Sequence, residues 1–205
     1  MTAVTAQMPD KPDLAALVGS RICHDLISPI GAIGNGVELM LMEGAAKGPE
    51  MALITESVGH ANARIRFFRV AFGASSAEQR IGRNEVMAII SDMTHGGRMQ
   101  IDWDSPVDLP RHDVKLVFLL ILCLESALPY GGRVQVERGE ARWTLRATAA
   151  KLKIDPSLWE GLIHPAALAE IGPAQVQFLL VPEEITRQHR RLTTELAEGE
   201  IRLSF

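Results

Sequence analysis

The sequence predicts an α+β protein: an N-terminal antiparallel helical hairpin that forms a four-helix bundle by dimerisation, followed by an α/β sandwich. Three patterns carry this. Between Leu14 and Met42, at about 100° per residue, Ile22, Leu26, Pro29, Ile33, Val37 and Met40 share one side of a helix. Met51, Ile54, Val58, Ala61, Ile65, Phe68 and Phe72 then recur at alternating spacings of 3 and 4, the seam of a second long helix. Beyond residue 83, short alternating stretches surround one strongly apolar helix, the mark of helices layered on a sheet.

In chain order, residues 1–12 read as a flexible arm and residues 13–73 as the hairpin. Glycine costs up to about 1 kcal/mol relative to alanine inside a helix, so Gly31, Gly34 and Gly36 demand a tertiary reason. Pro29 cannot donate to the carbonyl of Asp25, which loosens the first helix one turn beyond His24. Glu43 to Pro49 holds a helix stop and a new start. A hairpin alone cannot bury two such stripes, so a second copy of the chain completes the bundle; the alternative is that the stripe packs on the chain's own second domain.

Residues 74–82 read as a linker and 83–205 as the second domain. Asn84 to Met93 is helical, Met99 to Asp104 extended, and Pro110 to Leu128 the apolar helix. Arg133 to Glu137 and Trp143 to Ala147 alternate as paired strands around Arg138-Gly139-Glu140. Pro173 to Gln188 is helical despite Pro182, and Leu192 to Leu196 and Ile201 to Phe205 form a second hairpin around Gly199.

Composition narrows the function. A net charge of −4 over 205 residues argues against nucleic-acid binding. Two cysteines, Cys23 and Cys123, are too few for a disulfide framework and suit a reducing cytoplasm. No apolar run reaches the roughly 18 residues of a membrane span, and the N-terminus is unlike a signal peptide. His60, His95, His112, His164 and His189 lack metal-ligand spacing, so no metal site is expected.

His24 is different. It lies about 200° around the helix from Ile22, which turns it outward among Ser20, Ser28, Gly31 and Asn35. These neighbours are small or polar and let another protein approach the imidazole. If the hairpin turn centres near residue 46, Arg64, Arg66 and Arg69 stand at the height of His24 and can complement an acidic partner. Ile27 and Ile30, close to the same face, are docking candidates with Gly31; for either isoleucine a place in the dimer core is an equal alternative.

The stretch Arg21-Ile22-Cys23-His24-Asp25-Leu26-Ile27-Ser28-Pro29 resembles the phosphoacceptor box of two-component histidine kinases, His-Glu-x-x-Thr/Asn-Pro. Asp25 replaces the usual Glu and Ser28 the usual Thr or Asn. The stretch from Leu116 to Val134 resembles the helix and glycine turn of the kinase ATP-binding domain, but Leu122 and Ser126 stand where kinases carry asparagines. After the strand ending near Ala147 the chain reads Thr148-Ala149-Ala150-Lys151-Leu152-Lys153, without the Asp-x-Gly-x-Gly motif. The second domain thus resembles a degenerate histidine-kinase ATP-binding domain.

The whole layout, with the Arg69-Val70-Ala71-Phe72-Gly73 junction, is similar to the ChpT family of bacterial histidine phosphotransferases. That resemblance implies a homodimer in which His24 accepts and donates a phosphoryl group, Asp25 orients the ring or takes a proton, and Arg21 and Ser28 support them. It implies a hybrid-kinase receiver domain and response regulators as partners, with Mg²⁺ on the partner receiver and no cofactor on this chain. Two alternatives are a histidine autokinase with a diverged nucleotide site and a silent dimer that only binds receivers.

Overall fold

The computed structural model describes residues 14–43, 48–167 and 171–205. The predicted arm and residues 44–47 of the predicted turn lie outside them. Helices α1 (Leu14–Glu43) and α2 (Pro49–Ala71) form the hairpin, and α1 runs through Pro29. Gly36 supplies one of the tertiary reasons that its helix position demanded. A Cβ there would come within 2.5 Å of Ile54 Cγ1, so only glycine lets the two backbones approach this closely. At Gly31 and Gly34 the space is open, and nothing in the structure explains the glycine at position 34.

The second layer pair contains β1 (Arg80–Gly82), α3 (Arg83–Thr94), β2 (Met99–Asp104), β3 (Asp108–Pro110) and α4 (Arg111–Ala127). It continues through β4 (Gly132–Arg138), β5 (Trp143–Thr148), α5 (Pro156–Gly161), α6 (Gln177–Arg187), β6 (Thr193–Ala197) and β7 (Glu200–Ser204). The main sheet has the order β2-β4-β5-β7-β6. Only the β2–β4 pair is parallel; the other pairs are antiparallel. Alternation does the sorting: Val134, Val136, Leu145, Ala147, Ile201 and Leu203 are buried, while Gln135, Glu137, Arg146 and Arg202 face solvent. Helix α4 is buried along almost its whole length, and α6 lies beside it. Its first turn is fixed by Asp113, which accepts from Trp143 Nε1 at 3.0 Å and Arg190 Nη2 at 2.6 Å.

The predicted elements of this domain are present within a few residues. Arg80–Gly82, read as the end of a linker, instead forms β1, which pairs antiparallel with β3. Three residues are too short to show a period, which also hid β3, and α5, at six residues, is under two helical turns.

The hairpin and the sheet layer are tied at the end of α2. Phe67, Phe68, Val70 and Ala71 belong to the second domain's core, with Phe67 stacked on Phe118 of α4 at 4.4 Å between ring centroids. Arg111 Nη2 donates to the Arg69 carbonyl at 3.0 Å and Lys115 Nζ to the Gly73 carbonyl at 2.9 Å. Two cations thus satisfy carbonyls at and just beyond the helix C-terminus, where the dipole favours them. The apolar stripe of α2 consequently divides. Phe68 and Phe72 turn to the second domain, while Met51, Val58 and Ile65 stay exposed.

Candidate functional site

His24 sits on the outer face of α1 with its side chain 80% exposed, and Asp25, one position on, points inward at 11%. One hundred degrees of helix separates the two Cβ directions, enough for the ring to stand in solvent while its neighbour faces α2. His24 Nδ1 lies 3.1 Å from Asp25 Oδ1. A carboxylate only accepts hydrogen bonds, so in a neutral ring this contact favours the proton on Nδ1 and the lone pair on Nε2. Such an arrangement can serve as an oriented, accessible nitrogen nucleophile.

Two arginines hold the other oxygen of Asp25. Arg21, one turn earlier on α1, donates from Nε to Oδ2 at 3.0 Å, and its Nη1 reaches the Ala174 carbonyl in the 3₁₀ turn Pro173–Gln175 of the second domain. Arg64 on α2 brings Nη1 to 3.9 Å from the same Oδ2. Its main partner is Glu125 of α4, bonded at 2.9 and 3.3 Å. Burial works against the Arg64 charge, but the Glu125 charge, the hydrogen bond to it and the Asp25 charge outweigh that and hold its pKa above the ordinary value. The second domain thus contacts both arginines that flank the acid beside the histidine.

The three arginines placed at this height have different surroundings. Arg64 faces inward, Arg66 pairs with Asp92 of α3, and Arg69 is exposed. Ile27 and Ile30 are 69% and 58% exposed, and the space beside Gly31 is open, so all three belong to the solvent side of α1 near His24. Ser28 is exposed and lines, with Asp25, Arg64, His60 and His95, a cleft of about 400 Å³ between hairpin and second domain.

Leu122 is buried on α4, and its carbonyl accepts from Gln177 Nε2 at 3.5 Å. Ser126 turns back to the Cys123 carbonyl at 2.6 Å. Among the described residues no group of three or more His, Cys, Asp or Glu is placed to hold a metal ion, and no helix is long and apolar enough to cross a membrane.

Glu125 and the Ala174 carbonyl were missed by sequence reasoning. A carbonyl gives no signal. Glu125 does: it is the only charge between Leu116 and Leu128, and a lone charge ending a buried apolar run needs a partner.

The family described as "Histidine phosphotransferase C-terminal domain" matches residues 83–200, more than half of the chain. The protein phosphotransferase ChpT of Brucella abortus is 37% identical over 164 residues, 77% of each chain. A solved structure of a bacterial phosphotransferase superposes with a TM-score of 0.79 at 31% identity, covering 99% of this chain and 98% of its own. A histidine kinase domain from the blue-light activated kinase of Erythrobacter litoralis is 14% identical, with a TM-score of 0.44 over 94% of this chain and 93% of its own. On the profile match and the Brucella relative together, the chain belongs to the ChpT-type histidine phosphotransferases.

Proposed function

We propose that this histidine phosphotransferase relays a phosphoryl group between receiver-domain aspartates through His24, without binding ATP itself. The observation that carries it is the exposed ring with Nδ1 on Asp25 and Nε2 turned to solvent. The Nε2 lone pair attacks the phosphorus of a receiver's aspartyl phosphate. The bond from phosphorus to the acyl oxygen breaks, and the receiver carboxylate leaves with the electron pair. Asp25 offsets the positive charge the ring acquires while Nδ1 keeps its proton. Onward transfer repeats the displacement, with a carboxylate of the next receiver as nucleophile and the His24 ring as leaving group.

The partners are the receiver domain of a hybrid histidine kinase and one or more response regulators, each supplying its own acidic pocket and Mg²⁺. Ile27, Ile30 and Gly31 give the docking surface, and Arg69, with Arg66 at its edge, the charge complement. The protein works as a cytoplasmic homodimer. Its bundle face is supplied by Val37 of α1 and Met51, Val58 and Ile65 of α2, all at least 40% exposed. Met51, Val58 and Ile65 recur every seven residues and so share one face of α2.

The purified chain, offered a phosphorylated receiver domain or labelled ATP in parallel, should take label from the receiver only, and His24→Ala should abolish uptake. Label from ATP alone would establish the autokinase instead. Receiver binding with unchanged signalling output in His24→Ala would establish a silent binder.

A further inference from the structure

Asp25 divides its two oxygens between different tasks. Oδ2 receives Arg21 at 3.0 Å and faces Arg64 at 3.9 Å, beyond hydrogen-bond reach. Oδ1 meets the His24 ring nitrogen at 3.1 Å. A guanidinium beside a carboxylate favours the two-pronged fork that occupies both oxygens. Arg64 forks, but onto Glu125, with Nη2 to Oε1 at 2.9 Å and Nη1 to Oε2 at 3.3 Å. Arg21 meets Asp25 through Nε at Oδ2 alone, and its Nη1 is bonded to the Ala174 carbonyl. Arg21, Asp25, Arg64 and Glu125 form a neutral set of two cations and two anions.

We infer that Glu125 is a positioning residue for His24: by holding the Arg64 fork away from Asp25 it keeps Oδ1 open to the Nδ1 proton and so turns the Nε2 lone pair outward. The degenerate domain thereby sets the chemical state of a histidine on the other domain. Without Glu125 the local set gains a net positive charge, Arg64 closes on Asp25, and the ring loses its acceptor. The proton can then settle on Nε2, the nitrogen that must attack. The consequence for phosphoryl transfer rests on the relay reading above; the consequence for the ring does not.

The test uses the full chain with ¹⁵N-labelled histidine, its imidazole tautomer read by long-range ¹H–¹⁵N spectra at a pH where the ring is neutral. Wild type should be mainly Nδ1–H. Glu125→Gln should move the His24 population toward Nε2–H and slow label uptake from a phosphorylated receiver by about tenfold, the scale of lost support around a reacting group. The charge-swapped variant, Arg64→Glu with Glu125→Arg, restores an ion pair between the domains but sets a carboxylate against Asp25; it should recover thermal stability without recovering tautomer or rate. Should Glu125→Gln misfold, Glu125→Asp keeps the charge one methylene short and should stay Nδ1–H. An unchanged tautomer in folded Glu125→Gln, or full transfer by the swapped pair, overturns the assignment. A wild-type chain that takes no label from any receiver defeats the relay alone and leaves the tautomer result standing.

Discussion

Glu125 of α4 and Arg64 of α2, 61 positions apart, are joined by two hydrogen bonds at the boundary between hairpin and sheet layer. Their side chains are 29% and 28% exposed, so water screens the pair and its net worth is modest. Glu125→Ala is expected to lower unfolding stability by about 1 kcal/mol or less. A loss near 3 kcal/mol in urea denaturation would mark it instead as a structural ion pair.

Asp25→Asn removes the charge that faces the imidazolium-like intermediate and replaces the carboxylate at Nδ1 with a neutral amide. Uptake of label by His24 should fall about 100-fold, the lower range for loss of a positioned acid or base. Circular dichroism should show the helices intact, since Asn keeps the size and shape of the Asp25 side chain. Transfer within twofold of wild type would remove Asp25 from the mechanism.

Two glycines on one helix should respond in opposite directions. Gly34→Ala adds a methyl into open space and should stabilise by up to about 1 kcal/mol through helix propensity. Gly36→Ala sets its Cβ 2.5 Å from Ile54 Cγ1 and should cost about 1–3 kcal/mol through overpacking. Thermal melting of the two variants side by side decides this, and a common sign would show that the helices adjust their spacing.

Val58 and Ile65 lie one heptad apart, 40% and 49% exposed. A carboxylate inside a bundle core is strongly disfavoured, so wild type should sediment as a dimer and Val58→Glu and Ile65→Glu each as a monomer. A dimer in both variants would place the interface elsewhere.

The two cysteines should differ in reactivity. Burial pushes the Cys123 thiol well above its ordinary pKa, whereas Cys23 is exposed. Iodoacetamide at pH 8 should therefore label Cys23 and spare Cys123 until the chain unfolds. The sign of the pH effect follows from linkage. Above about pH 8.5 the unfolded thiol ionises and the folded one does not, so the native state holds the extra proton. Cys123 therefore contributes stability that is lost with rising pH, by up to about 1.4 kcal/mol per unit. Cys123→Ala should lack that component of the slope.

The long elements were legible because their periods repeat. Met51 to Phe72 and the apolar helix read as Pro110 to Leu128 carry enough turns for phase to be unambiguous, and the alternation of Arg133 to Glu137 fixed the face of its strand. β1 and β3 were not legible at three residues each. In the site, phase alone turned His24 outward. The partner of Arg64 was beyond reach because α4 arrives from 61 positions away, and hairpin register describes only the two helices that make it. The same limit applied to Phe68, whose spacing fits the hairpin seam although its ring belongs to the neighbouring core.

The end of α2 has a consequence for how the chain tolerates change. The height of His24 above the sheet is set by Phe67 against Phe118 and by Arg111 and Lys115 on the last carbonyls, not by the covalent path that follows. Residues 74–78, turned by the bonds between Ser76 and Gln79, therefore act as a rope between two blocks that are already bolted together. Lengthening that rope, or cutting it and rejoining the ends elsewhere, should leave the angle at which a visitor meets the imidazole unaltered.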